Sequence, residues 1–195
     1  VCSSDLNEFF DALPVHRVVR RNGVLRELYV TQDFDEVDGE LQEPIDAPLA
    51  EGQLADISTD APRWIDRIAS SLYHGYHLAI DYGYQEREFY ARPHGTLMCY
   101  WQHQVVENPY VHVGEQDITA HVNFSDLIAA GNRSGLHPVS LTTQMDFLIQ
   151  AGILKELEAL VPVTAETVER VMAIKKLILP GGMGERFKVL LQRKG

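Results

Sequence analysis

The sequence predicts an α/β fold, and three observations carry that prediction. Trp64, Ile65, Ile68 and Leu72 follow Pro62 at helical spacing up to Gly75. The apolar run Tyr76-His77-Leu78-Ala79-Ile80 comes next, so a helix feeds a buried strand. Strand-like and helical stretches go on alternating toward the carboxyl end. Finally, Asn7-Glu8-Phe9-Phe10-Asp11-Ala12-Leu13-Pro14-Val15 sets an amide and two carboxylates where a strand is expected to meet a helix, the position at which open α/β sheets place their chemistry.

The remaining elements follow in chain order. His16–Arg20 and Leu25–Val30 are β-prone runs around Arg21-Asn22-Gly23, and Asn-Gly is a strong hairpin signal. Residues 33–61 are rich in Asp, Glu, Pro and Gly with little periodicity and predict a long surface excursion, either a lid or an idle insertion. Pro62 suits the first turn of the helix that ends before Gly75. The strand that follows ends in Asp81-Tyr82-Gly83. Residues 96–106 read as extended, Phe124–Gly131 as a helix, Leu136–Leu141 as a strand and Thr143–Ala151 as a helix ended by Gly152. Residues 153–161 and 164–178 predict two further amphipathic helices. Gly181-Gly182-Met183-Gly184 then turns into a final strand at Phe187–Leu191. No internal repeat is present.

A chain of 195 residues with 45% hydrophobic content is long enough for one ordinary core. The formal net charge of -11 argues against a surface that neutralises nucleic-acid phosphates, and it suits either a basic peptide substrate or a merely solvated acidic surface. Cys2 and Cys99 are too few and too far apart for a disulfide framework or a Cys-rich zinc site, which points to a reducing compartment such as the cytoplasm. No apolar run approaches the roughly 18 residues of a membrane span, and the first residues lack the order of a secretory signal.

Glu8 and Asp11 are spaced i,i+3, so a helix from Phe9 onward would put both on one face near its start. Such a pair can clamp a guanidinium and withdraw a proton as its nitrogen attacks an electrophile, with Asn7 orienting the nucleophile or a cofactor; N-terminal capping is the structural alternative. Asp81 at a strand end either faces a ligand crevice or caps a turn. Asp117, Thr119 and His121 alternate along one side if that run is extended, as groove-lining residues do, and a structural polar network competes with that reading. His94, His103, His112 and His121 recur every nine residues, which sends successive members to opposite faces, so a metal cluster is not expected. His74 and His77 read as loop histidines, Cys99 as a small buried hydrophobe and the late glycines as a turn, since they lie in the wrong order for a phosphate loop.

Taken together, Asn7–His16, Ile80-Asp81-Tyr82-Gly83, Gly95-Thr96-Leu97, His103, Gly114 with Asp117–Val122 and Phe124, Thr143-Gln144 with Phe147-Leu148 and Gly152-Ile153, and Met183-Gly184 with Phe187-Lys188-Val189 resemble the carboxyl-terminal half of the MidA-like S-adenosylmethionine-dependent methyltransferases. That family includes a mitochondrial complex I assembly factor that methylates arginine. The resemblance implies a partial Rossmann-like class I sheet, strands four to seven, with Asn7-Glu8 ending the fourth strand, Asp81-Tyr82-Gly83 the fifth and the strand from Phe187 forming the antiparallel seventh. The glycine-rich first-strand loop that holds the cofactor in the family has no counterpart here, so an amino-terminal half is expected to be missing. Cys2-Ser3-Ser4-Asp5 fits the family's apolar fourth strand poorly, which raises the expectation of a truncated or misjoined reading frame.

By this resemblance Asn7, Glu8 and Asp11 are catalytic, Asn7 and Pro14 touch S-adenosylmethionine, and Asp81, Tyr82, Asp117, Thr119 and His121 line the substrate side. The implied partner is a protein, with a respiratory complex I subunit the specific case; the location is the bacterial cytoplasm, or the mitochondrion in a eukaryote. By itself the chain is expected to be inactive. A binding or assembly module is the first rival reading. A hydrolase using Glu8 and Asp11 as acid and base ranks lowest, because no nucleophile or metal site accompanies them.

Overall fold

The computed structural model describes residues 2–102, 104–160 and 164–195. His103 and residue 161, which the expected extended segment and helix include, lie outside the described residues. In chain order the strands and helices are β1 (Cys2–Asn7), β2 (His16–Arg21), β3 (Val24–Val30), β4 (Glu36–Gly39), β5 (Leu54–Ile57), α1 (Asp60–Ser71), β6 (Gly75–Tyr84), α2 (Glu86–Phe89), β7 (Leu97–Trp101), β8 (Gln104–Val106), β9 (Asp117–Ala120), β10 (Val122–Asn123), α3 (Phe124–Arg133), β11 (Leu136–Thr143), α4 (Gln144–Gln150), α5 (Ile153–Glu158), α6 (Ala165–Ile178) and β12 (Phe187–Lys194).

The main sheet is mixed and ordered β1-β6-β12-β11, with β10 added beside the end of β6. β1 and β6 run parallel, whereas β12 is antiparallel to both β6 and β11. The polar start of β1 is no obstacle to pairing, because the ladder from Cys2 opposite Gly75 to Asn7 opposite Ile80 is made by the backbone. Ser4 and Leu6 are half-buried while Ser3, Asp5 and Asn7 are exposed, the period of two that a strand imposes. The polar composition of this segment therefore does not stop it from pairing as a strand.

Helix α1 explains itself by spacing. Ala61, Ile65, Ala69 and Leu72 form the fully buried stripe, and Trp64 and Ile68 flank it. Pro62 sits in the first turn, where its missing N–H costs no intrahelical bond. This stripe meets Phe124, Leu127 and Ala130 of α3 and Ala79 and Leu190 of the sheet, forming the main core together with Phe10.

The Asn22-Gly23 hairpin forms as expected, with positive φ at both residues. The surface excursion over 33–61 carries regular structure of its own. That segment supplies β4 and β5, which complete a second sheet of order β4-β3-β2-β5, and buries Ala47, Leu49 and Ala55 with Val18 and Phe89 in a second core. Its periodicity is hidden because each strand has only four residues. His77 is likewise corrected from loop to strand: it is buried in β6, and its Nδ1 lies 3.2 Å from the Ser4 carbonyl oxygen. Cys99 is buried and free, and the late glycines form a turn. Among the described residues no helix is long and apolar enough to cross a membrane.

Candidate active site

The carboxyl ends of β1 and β6 are bound to each other by the side chain that sequence reading assigned to substrate. Asp81 Oδ2 accepts hydrogen bonds from the backbone N–H groups of Phe9 (3.2 Å), Phe10 (2.9 Å) and Asp11 (3.3 Å), and Oδ1 accepts one from Tyr82 N–H (2.8 Å). Glu8 N–H donates to the Ile80 carbonyl at 3.0 Å. The chain after β1 is thus wound as a turn around one buried carboxylate. This corrects two expectations. Residues from Phe9 onward are not helical, so Glu8 and Asp11 share a turn rather than a helix face. Asp81 directs its carboxylate at that turn, with 1% of the residue exposed, instead of into a substrate crevice.

Asn7 and Glu8 are exposed at the tip of β1, adjacent to the tip of β6, and the Asn7 amide donates to the Glu8 carboxylate at 3.2 Å. Glu8 has a positive φ of 49°, a region that non-glycine residues enter rarely and mostly where surrounding structure enforces it. Asp11 is buried, with Oδ1 lacking a protein partner. Burial raises the Asp81 carboxyl to about 7, and the neighbouring Asp11 adds to the rise against the pull of the backbone N–H groups. Burial also raises Asp11, with Glu8 adding to it. Two carboxyls this close titrate as a pair that holds one proton up to near neutrality. Pro14 is exposed where the turn leaves the site.

Beyond the turn lies a cleft of about 450 Å³ whose wall is aromatic. Tyr82 and Tyr84 alternate on β6, so they share a face. The His121 ring stacks at 6.1 Å from Tyr82 and packs at 5.2 Å from Tyr84, and Tyr82 also rests on Phe187 at 4.0 Å. Burial, with Arg92 nearby, lowers His121 to about 4, so the imidazole is neutral at physiological pH; its Nδ1 is buried without a protein partner. Across the cleft β9 pairs with β7, placing Asp117 opposite Tyr100 and Thr119 opposite Met98. Met98 and Tyr100 line the cleft. Asp117, Thr119 and His121 therefore follow one side of an extended run, with Asp117 exposed and Thr119 half-buried.

Gly83 is required where β10 meets β6. A Cβ there would collide with the Val122 carbonyl oxygen and the Phe124 ring, so only glycine lets the run carrying His121 approach this closely. Of the other regularly spaced histidines, His94 is exposed and His112 stacks on Trp101 at 4.0 Å.

A sequence family described as "Putative S-adenosyl-L-methionine-dependent methyltransferase" matches residues 4–142. The chain belongs to this family. It is 30% identical over 201 aligned residues to a mouse protein named "Protein arginine methyltransferase NDUFAF7, mitochondrial", covering 93% of this chain and 43% of that protein. A crystal structure from Burkholderia thailandensis, described as a "likely methyl transferase" bound to S-adenosyl-homocysteine, superposes with TM-score 0.85 at 29% identity, covering 98% of this chain and 53% of the other. A second structure of that superfamily from the same organism gives 0.86, also at 29% identity, over 98% and 55%. The chain thus spans about half the length of the relatives it matches. The α/β architecture with a mixed sheet is shared with those structures.

For this methyltransferase family member, sequence reasoning missed Tyr84, Met98, Tyr100, Arg186 and Lys188, all of which line the cleft. The alternation Tyr82-x-Tyr84 on a strand was the available signal for the first. The others come from segments whose approach only the folded chain creates.

Proposed function

We propose that this chain supplies the substrate side of an S-adenosylmethionine-dependent methyltransferase acting on arginine in a protein. The observation that carries the reading is the exposed Asn7-Glu8 tip, backed by the Asp11 and Asp81 carboxyls, with the Glu8 and Asp11 charges reaching Tyr82 in the wall of the aromatic cleft. In this reading β1, β6, β11 and β12 are strands four, five, six and seven of a class I sheet, β12 being the antiparallel one.

The donor set fits the proposed cofactor. A sulfonium is cationic, and the tip offers an amide and a cluster of acids with no cation paired to them among the described residues. Asn7 and Pro14 would border S-adenosylmethionine, which supplies an electrophilic methyl group. Methyl transfer is an in-line displacement, so the protein's work is alignment, local field and proton removal. Glu8 holds the guanidinium by charge-assisted hydrogen bonds. Glu8 would accept the proton that the acceptor nitrogen sheds on methylation, with the buried Asp11–Asp81 pair behind it. Tyr82 and neutral His121 form the wall against which the planar guanidinium stacks, and Asp117 and Thr119 border the path of the peptide.

The mouse relative's name supports the arginine acceptor and the protein partner; a respiratory complex I subunit and a cytoplasmic or mitochondrial site remain part of the same proposal. The deciding experiment is Glu8→Gln in the protein that carries this chain, followed by transfer of labelled methyl groups to arginine peptides. Turnover should fall at least about 100-fold while cofactor affinity stays within about twofold. Equal loss of both would refute the role.

A further inference from the structure

The cleft is not uniformly acidic, although the chain carries a net charge of -11. Pro180, Glu185, Arg186 and Lys188 form its far lip, contributed by the turn before β12 and by β12 itself. Arg186 is exposed and Lys188 half-buried, and neither makes an ion pair among the described residues. The other nearby cation is already in use, since the Arg92 guanidinium lies 3.8 Å from the centre of the Tyr84 ring. Tyr82 is within electrostatic reach of both poles. Burial raises its phenol and Glu8 adds to the rise, while Arg186 pulls in the opposite direction, so both charges act on one ring.

A site built only to attract a cationic side chain gains nothing from Arg186 and Lys188 on its lip, where they outnumber the exposed Glu185. They weaken the binding of a lone arginine by like-charge repulsion. They become favourable when the substrate brings its own negative charge. Because Glu8 and Arg186 both act on Tyr82 in the cleft wall, a substrate with an acidic residue beside its acceptor would meet both charges.

We propose that Arg186 and Lys188 form an anion subsite that engages an acidic residue flanking the acceptor in a protein substrate. This rests on the arginine-methylation reading and narrows it: the preferred substrate is an arginine in an acidic context, not the basic segment that the overall charge alone would favour.

The test is direct binding of capped pentapeptides with central arginine and glutamate, glutamine or lysine on both sides, followed by calorimetry at low salt with the protein that carries this chain. The glutamate peptide should bind about fivefold more tightly than the glutamine peptide, the scale of one or two partly exposed ion pairs, and the lysine peptide more weakly than either. At about 0.5 M salt the preference should shrink toward one. Arg186→Glu alone should erase the preference, and combining it with Lys188→Gln should reverse it, with melting temperatures unchanged. Equal binding of all three peptides, no binding of any, or a preference that survives Arg186→Glu would overturn the subsite. Replacing the central arginine by citrulline separates the two claims. If the flank preference persists but the central residue makes no difference, the arginine reading fails and the subsite stands. If only the central residue matters, the reverse holds.

Discussion

Two buried aspartates, each 1% exposed, show how differently this molecule uses the same side chain. Asp56, on β5 of the second sheet, accepts from Thr96 N–H (2.6 Å), Leu97 N–H (2.9 Å) and Arg17 Nε (3.2 Å). Arg17 also pairs with Glu36, to which the Tyr110 hydroxyl donates at 2.6 Å. Asp81 also receives backbone N–H groups, but its charged neighbour is a second carboxyl, not a cation. The first arrangement sets the carboxylate against a guanidinium and ties the second sheet to β7. The second holds a proton that comes and goes near neutral pH, as a site that moves protons requires.

Removing either carboxylate should produce the largest effects, but of different kinds. Asp56→Ala leaves Arg17 without its buried partner and should lower unfolding free energy by about 3 kcal/mol in denaturant titrations. Asp81→Ala should cost a similar amount, because it strands several buried backbone donors at once. Only Asp81→Ala should also speed amide exchange at Phe9, Phe10 and Asp11; if both variants do so, the two regions are not independent. Next in size is Gly83→Ala, which should destabilise by about 2 kcal/mol through overpacking against Val122 and Phe124, and should weaken peptide binding by displacing His121.

The comparison also has a pH signature. The Asp81 carboxyl rises on folding from 3.8 to about 7, so its contribution is full below the lower value and is lost as pH climbs through about 7. His121 falls on folding from 6.5 to about 4, so its contribution is present above 6.5 and is lost as pH drops through about 4. In that shared window the two contributions oppose each other. Relative to the native chain, Asp81→Asn should tilt the curve so that stability falls toward acid, and His121→Gln should tilt it the other way. Each slope is at most about 1.4 kcal/mol per pH unit, read from melting at fixed pH. Like-signed slopes in both variants would sink the assignment. The smallest expected effect is Tyr110→Phe, which removes one exposed hydrogen bond to Glu36 and should cost no more than about 0.5–1 kcal/mol without touching the cleft.

Local signals account for what was legible. The Asn22-Gly23 hairpin, the stripe of α1, the apolar strand ending in Asp81-Tyr82-Gly83 and the capped helices toward the carboxyl end each follow from neighbours within a few residues. The second sheet was not legible, because strands of four residues over 33–61 are too short to show a period. Of the candidate site, the residue types near Asn7 were found and their conformation was not, since the donors that bend Phe9–Asp11 into a turn answer to a carboxylate more than 70 positions away.

By itself the sequence determined the α/β class, most elements and the acids on which chemistry can rest, because propensity and hydrophobic period act along the chain. Only the tertiary structure decided that Asp81 organises a turn instead of meeting substrate. It also decided that Tyr82, Tyr100, His121 and Arg186 share one cleft. Burial, charge coupling and the contact of distant segments exist only once the β6 strand has gathered its neighbours, so no reading of local pattern can supply them.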